Sequence, residues 1–443
     1  MDSSLRQTIL DIAGAAVSAV EPHQAVMRRV SLEGSRLLAG GGDYDLDAFE
    51  RVVVVGAGKA SAPMAVAVED ILGDRIDSGV VVVKDGHAET TRTIEIVEAG
   101  HPEPDRRGEA GARKLLDLVK GAGPDALVIA LMSGGGSALL PLYPQGVGLD
   151  DMRELTRLLL RCGATIGEIN TVRKHLSLIQ GGRLAQVAGG AGILALLVSD
   201  VVGNPLDIIA SGPTTADTST YEDALGVLRK YDISADAPPG PMQRLRRGAA
   251  GEIQETPKPG DPALRRVRHV IVADNDASAT AAAKAAHAAG FDSQLVTTHM
   301  EGEAREVARL LAGVAKDLVF RKRPIPPPAC LIFGGETTVT VSGSGKGGRN
   351  QEMALAAAIA LQGIPNIAVL CLGTDGNDGP TDAAGGLIDG DTIARGEARG
   401  MDARSYLADN NSYEFLSAAG DLVVTGPTRT NVNDLALIFS LEG

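Results

Sequence analysis

Arg51-Val-Val-Val-Val55-Gly56-Ala57-Gly58-Lys59-Ala60-Ser61, followed by the alanine-rich run Ala62–Leu72, carries the reading of the fold. Four valines in a row ending at glycine predict a strand that is apolar on both faces, and the run after Ser61 predicts a helix. A strand of that kind is buried under helices on either side. The same pattern recurs outward along the chain, where Gly79–Val83, Ala126–Met132, Ile193–Ser199, His269–Ala273, Cys330–Phe333 and Ala368–Leu372 alternate with longer helical stretches.

The expected fold class is therefore α/β, with mostly parallel sheets flanked by helices in a Rossmann-like manner. Ligands on such sheets sit beyond the carboxyl ends of the strands. At 443 residues the chain exceeds the usual ~100–200 residues of one domain, so two domains with a site in the cleft between them are expected. The runs Ala235–Pro241 and Gly251–Pro262, rich in Pro, Gly and charge, place the junction near 235–265 and give domains 1–240 and 241–443. Arg321–Pro328 reads as a stiff surface connector.

Composition narrows the partners. With 42 Lys+Arg against 56 Asp+Glu the net charge is −14, and no basic block interrupts it. Nucleic acid and anionic membrane are excluded as expected partners. A nucleotide would be repelled too, unless local lysine, arginine or metal charge meets it. Three widely spaced cysteines predict a reducing compartment. The segment Ile9–Val20, interrupted by Asp11, reads as an amphipathic helix and not as a signal peptide, and no membrane-length apolar run occurs. A cytoplasmic protein is expected.

Three glycine loops carry the chemistry. In the first, Gly56-Ala-Gly58-Lys59, a helix N-terminus offers backbone N–H groups to an anion, and Lys59 can reach a phosphate or carboxylate there. A tight turn using glycine for steric reasons is the plainer alternative. A Walker A loop is excluded, because Val53 stands where its first glycine belongs and Ala60 where Ser or Thr belongs. A dinucleotide fingerprint fails at Ser61, and Asp85 meets its acidic requirement only loosely. The second loop, Ser133-Gly134-Gly135-Gly136-Ser137, offers several backbone donors and two hydroxyls for cradling an oxyanion. It is no nucleophile elbow, since Leu131 occupies the position that requires glycine. The third, Gly343-Ser-Gly-Lys346-Gly347-Gly348-Arg349, opens a helix. A cation in a first helical turn opposes the dipole, so Arg349 is read as facing an anion.

Magnesium on a nucleotide needs only one or two carboxylates. Candidates at strand ends are Asp200, Asp274, Asp276, Glu336, Asp375, Asp378 and Asp382, of which Asp200 and Glu336 are preferred as metal ligands and Asp375 as a substrate contact. Asn170, Arg173 and Lys174 share one helical side at i, i+3 and i+4, either a solvated face or a positive rim for a substrate carboxylate. The seven histidines show no zinc spacing.

Seven ordered motifs then resemble one family. They are GAGKASAPMA at Gly56–Ala65, GHPEPD at Gly100–Asp105, SGGGSALL at Ser133–Leu140, INTVRKHLS at Ile169–Ser177, SDVVGNPLDIIASGPT at Ser199–Thr214, GGETTVTVSGSGKGGRNQE at Gly334–Glu352 and GTDGNDGPTDAAGG at Gly373–Gly386. Together they look like the glycerate 2-kinase family, whose carboxyl-terminal part is the MOFRL domain. The resemblance implies ATP- and Mg²⁺-dependent phosphorylation of D-glycerate to 2-phosphoglycerate. Its essential lysine and arginine fall on Lys59 and Arg349. The expected phosphate and substrate contacts are Gly58, Ser133, Gly134, Gly135, Gly136, Ser137, Arg173, Lys174, Gly347, Gly348 and Asp375. The expected partners are glycerate and ATP, with a homodimer compatible. Relatives labelled hydroxypyruvate reductase make an NAD(P)H-dependent reductase the alternative, against which the broken dinucleotide fingerprint argues.

Overall fold

A computed structural model describes residues 1–441 of the chain. It divides into two compact bodies, one made of Pro22–Ser199 and Asn204–Val272, the other of Met1–Glu21, Asp200–Gly203 and the chain from Ala273 onward.

In the first body a small antiparallel sheet of β1 (Val30–Glu33), β2 (Arg36–Ala39) and β3 (Gly42–Asp45) precedes the main sheet. That sheet contains β4 (Arg51–Ala57), β5 (Ser78–Lys84), β6 (Ile94–Ala99), β7 (Ala126–Met132), β8 (Gly192–Val198) and β9 (Val267–Ala273) in the order β6-β5-β4-β7-β8-β9. The pairings from β6 across to β8 are all parallel. Every residue of β7 and β8 is buried, as is all of β4 except Arg51, which is the two-faced burial the valine run predicts. The helices Ile166–Leu176, Tyr221–Lys230 and Pro239–Ala249 form a separate cluster around the fully buried Tyr221.

The second body holds β10 (Asp292–Glu303), β11 (Ala329–Thr338), β12 (Ile367–Gly373), β13 (Gly385–Asp389), β14 (Leu422–Val423) and β15 (Asp434–Ser440), ordered β10-β11-β15-β12-β13-β14. Here the expectation of a mostly parallel sheet needs correction. Only β10 and β11 pair in parallel, and β15 inserts antiparallel between β11 and β12. All residues of β12, β13 and β15 are buried, so these strands lack the alternation that marks an antiparallel strand with one wet face. The insertion has a consequence for function: Asp434, the first residue of β15, lies opposite Gly335 and Gly373 and so arrives where β11 and β12 end.

The division of the chain also differs from 1–240 and 241–443. Residues 1–21 join the second body because Ile9, Ile12, Ala13 and Ala16 on helix Ser3–Ser18 bury against Ala279, Ala282 and Ala286. The Pro- and Gly-rich run near 251–262 is no free linker, since the Glu255 carboxylate accepts from Tyr221 N (2.9 Å) and Thr256 Oγ1 donates to Asp217 (3.0 Å). The chain then continues in the first body to Val272.

The turns after β4 and β7 are locked together. Lys59 N donates to Gly134 O (2.9 Å), Ser133 N to Ala57 O (3.1 Å), and Ala60 N to Ser133 Oγ (3.0 Å). Gly58 has φ +140°, and a Cβ on it would lie 2.0 Å from Ser133 Oγ. Any side chain there forces the two turns apart. We predict that Gly58→Ala lowers unfolding free energy by about 2–4 kcal/mol in urea titration, combining backbone strain with overpacking. Gly86→Ala, whose added Cβ meets nothing within 4 Å but whose φ is +78°, should show only the smaller strain part.

Candidate active site

In the first body, the carboxyl ends of β4, β5, β6 and β7 gather positive charge without pairing it. Lys59 follows β4, Lys84 ends β5, and neither makes an ion pair among the described residues. Gly134 and Gly135 add backbone N–H groups that make no hydrogen bond within the described chain. Around this spot the protein supplies donors, and Asp85, beside Lys84, is taken by Arg107 (2.7 Å), which suits an anionic ligand.

Helix Ile166–Leu176 reaches the same loop. The Ser137 and Ser211 hydroxyls lie 2.7 Å apart, Ser211 Oγ donates to Asn170 Oδ1 (3.1 Å), and Gln180 Nε2 donates to Ser137 O (3.0 Å). The helix is fixed from behind by a buried polar network. Its capping box joins Thr165 and Glu168. Lys174 Nζ pairs with Asp207 (3.1 Å) and Asp217 (3.6 Å), and His175 Nε2 with Glu255 (3.2 Å). His175 also meets the Tyr221 ring edge-on, with centroids 4.7 Å apart.

The structure therefore separates Arg173 from Lys174. Lys174 is 4% exposed and spent in ion pairs, which leaves it a positioning role. Arg173, one residue earlier, has no carboxylate partner among the described residues. Burial holds its pKa below the usual value despite the neighbouring Tyr143. The Tyr143 hydroxyl is in turn pushed up to about 12, by burial first. Of the loop hydroxyls, Ser133 is 1% exposed and consumed by Ala60 N. It holds the turn, and Gly136 N donates to Ser133 O (3.2 Å).

The second body gathers a charged cluster of its own. Arg349 begins helix Arg349–Ala360, and its Nε and Nη2 donate to the two oxygens of Asp434 at 2.6 and 3.0 Å. Nη1 pairs with Glu336 at 2.8 Å. Three of the five guanidinium N–H bonds are thus committed and two remain. The anion that compensates a cation at this helix start is the protein's own Asp434, fully buried. Burial opposes the Arg349 charge, yet Asp434 and then Glu336 hold its pKa above the usual value. Burial raises the Asp434 pKa even against Arg349.

Asp378 completes this arrangement from the β12–β13 connection. Its carboxylate accepts from Asn350 N (3.1 Å) and Gln351 N (2.8 Å), so it caps the helix that Arg349 begins. Burial pushes it up to about 6, against those two donors. Glu336 is raised as well, by burial first, with Asp434 and Asp200 adding to it and Arg349 opposing. Asp375 sits in the turn after β12, where its Oδ1 accepts from Asn377 N (3.1 Å).

Gly347 and Gly348 have packing reasons for lacking side chains. A Cβ on Gly348 would lie 2.3 Å from the Asp378 carboxyl carbon, and one on Gly347 2.2 Å from Ser412 Oγ. Earlier in that loop the backbone N–H groups of Ser342, Gly343, Ser344 and Lys346 are taken by Asn410, Asp409 and Asn411. The loop is a brace for Arg349, and its N–H groups up to Lys346 are not open to a ligand.

Sequence reasoning gave no role to Lys84 or Asp434, nor to His101 within the GHPEPD motif at Gly100–Asp105. The strand preceding His101, Ile94–Ala99, reads IEIVEA, and its two glutamates hid it. Asp434 starts a strand, whereas the carboxylate candidates read from sequence are those at strand ends. The signal available was an aspartate immediately before the apolar run Leu435–Phe439. Among the described residues, no three His, Cys, Asp or Glu side chains are grouped to hold a metal, and no helix is long and apolar enough to cross a membrane.

Comparison with known proteins places these features. Residues 8–246 match the model of a domain of unknown function, DUF4147, and residues 329–434 match the MOFRL family. The chain is 41% identical to the glycerate 2-kinase of Pyrococcus horikoshii over 442 residues, covering 99% of this chain and 98% of that one. It is 44% identical to the D-glycerate 2-kinase of Thermotoga maritima over 435 residues, covering 98% of each. The crystal structure of glycerate kinase from Thermotoga maritima superimposes with a TM-score of 0.88 at 42% identity, covering 99% of this chain and 100% of that one. With identity above two fifths sustained over nearly the whole of both chains, and the same fold throughout, this chain belongs to the glycerate 2-kinase family.

Proposed function

We propose that the protein transfers the γ-phosphoryl group of ATP to the 2-hydroxyl of D-glycerate, giving 2-phosphoglycerate and ADP. The observation that carries this reading is the set of uncompensated cations beside the glycine turns of a chain that is strongly acidic as a whole. A phosphorylated ligand supplies the missing negative charge. The family relationship supplies the reaction.

Lys59, and Arg349 through its remaining N–H bonds, are each assigned a part in phosphoryl transfer. Charge spreads over the equatorial oxygens of the phosphoryl group in the transition state, so cations aimed there stabilise that state more than the ground state. Asp434 fixes the plane of the Arg349 guanidinium in advance, so little orientation is lost during reaction. The N–H groups of Gly134 and Gly135 serve phosphate oxygens, and Arg173 serves the glycerate carboxylate. Asp200 and Glu336 suit Mg²⁺, because burial first and the Asp200 charge among others raise the Glu336 pKa in a way a divalent cation relieves. Bound there, Mg²⁺ would neutralise the nucleotide phosphates.

The direct test incubates the protein with D-glycerate, ATP and Mg²⁺ and follows ADP, with phosphorus NMR of the product. ADP and 2-phosphoglycerate should form, excess chelator should stop turnover with little change in melting temperature, and hydroxypyruvate with NADH or NADPH should consume no reduced cofactor. Cofactor consumption without ADP would establish the reductase in place of the kinase.

Substitution tests the residue roles. Lys59→Ala and Arg349→Ala should each lower kcat by at least roughly 10²-fold. Arg349→Lys should not recover full activity, because an ammonium cannot bind both Asp434 oxygens in the plane the guanidinium keeps. A variant that holds kcat within about threefold and changes only KM would reduce its residue to substrate binding.

A further inference from the structure

The segment Gly100-His-Pro-Glu-Pro-Asp105 takes no part in the roles assigned so far, yet it is held as firmly as the glycine turns. Asp105 accepts from Gly100 N (3.1 Å) and Gly108 N (2.9 Å), capping helix Arg106–Ala122. Arg153 Nε donates to Pro104 O (2.9 Å). This frame sets the imidazole of His101 against the second glycine loop. A Cβ added to Gly135 would lie 2.9 Å from His101 Nε2 and 3.6 Å from Lys59 Cγ. The bare Gly135 is what lets the ring and the lysine stem occupy the same corner.

The charges facing this ring are Lys59 from the turn after β4, Lys84 from the end of β5 and His87 from the turn that follows it, and no carboxylate is among them. His87 Nδ1 is itself 3.0 Å from Lys59 O. Burial first, and then these cations, hold the His101 pKa down at about 4. The ring is therefore neutral near pH 7 and keeps a lone pair. It makes no hydrogen bond within the described chain. Of the groups that face it, Lys59 and Lys84 carry ammonium groups and cannot take a proton, and no carboxylate is there to compete.

We propose that His101 is the general base that activates the acceptor hydroxyl. Its unprotonated ring nitrogen takes the hydroxyl proton as the oxygen bonds to the γ-phosphorus. The bond from that phosphorus to the β,γ-bridging oxygen breaks, ADP leaves with the electron pair, and the imidazolium returns its proton to solvent. Phosphate anions bound among Lys59 and Lys84 offset the cations that oppose this protonation. The role rests on the kinase reading above.

The test compares wild type with His101→Asn and His101→Gln, each checked for native melting behaviour, in steady-state kinetics between about pH 6 and 9. Wild-type kcat should be nearly flat across that range. The variants should lose about 10²–10⁴ in kcat with both KM values within about threefold, and their log kcat should rise by about one per pH unit as hydroxide replaces the missing base. A kcat within about threefold of wild type in either variant overturns the proposal. So does a loss that is the same at every pH, because that is the mark of a merely structural histidine. Wild-type protein that turns over no ATP with glycerate overturns the kinase reading and this role with it, whereas active wild type with unaffected variants overturns the role of His101 alone.

Discussion

Charge compensation decides which basic residues of this protein are available for chemistry. A cation taken partly out of water must be paired or must meet a charged ligand. In the first body the acids Asp207, Asp217 and Glu255 are directed to Lys174 and His175. Lys59, Lys84 and Arg173 are left without a partner among the described residues. The acidic surplus of the chain makes this the more telling, because Asp85, the carboxylate next to Lys84 at the end of β5, is paired with Arg107 (2.7 Å) instead. Burial first, and then Lys59 and Lys84, hold the His101 pKa down at about 4. One arrangement therefore prepares an anion site and a lone pair beside it.

The second body solves a different problem, that of aiming an arginine. Asp434 is fully buried and reaches Arg349 because β15 runs antiparallel to its neighbours and so begins where they end. The bidentate contact fixes the guanidinium plane, and Asp378 anchors the helix that carries it. Asn350 Nδ2 ties the two acids together, donating to Asp434 at 3.0 Å and Asp378 at 3.3 Å. Burying two carboxylates in this way raises both pKa values. For Asp378, a folded pKa near 6 lies above the ordinary carboxylate value, so its protonated form favours folding at low pH. That contribution fades as pH rises through about 6. The cluster is therefore held at neutral pH by its donors and by Arg349, not by any intrinsic preference for the charged state.

Much of this was legible in the sequence. Valine and alanine runs marked the strands of the parallel sheet, and the glycine turns after β4 and β7 gave the end of the sheet where Lys59 stands. What escaped were features set by topology. The parallel or antiparallel direction of β15 leaves no trace in a strand buried on both faces. The amphipathic helix read over Ile9–Val20 lies mostly within helix Ser3–Ser18, but the sequence did not show that it belongs with residues far along the chain. Spacing put Arg173 and Lys174 on one helical side, and only tertiary contacts show that the second is consumed by Asp207 and Asp217. At Gly347 and Gly348 the sequence suggested a ligand contact, and the close packing against Asp378 and Ser412 that also requires glycine there cannot be seen from sequence.

The central proposal is that Lys59 and Arg349 both serve phosphoryl transfer, and a double-mutant cycle on kcat measures their coupling most directly. If they serve the same transition state, the Lys59→Ala, Arg349→Ala double variant should be impaired little more than the worse of the single variants, because removing either already forfeits what the pair supplies together. Losses that multiply, with the double variant falling by the product of the single effects, would show two independent contributions and contradict the account.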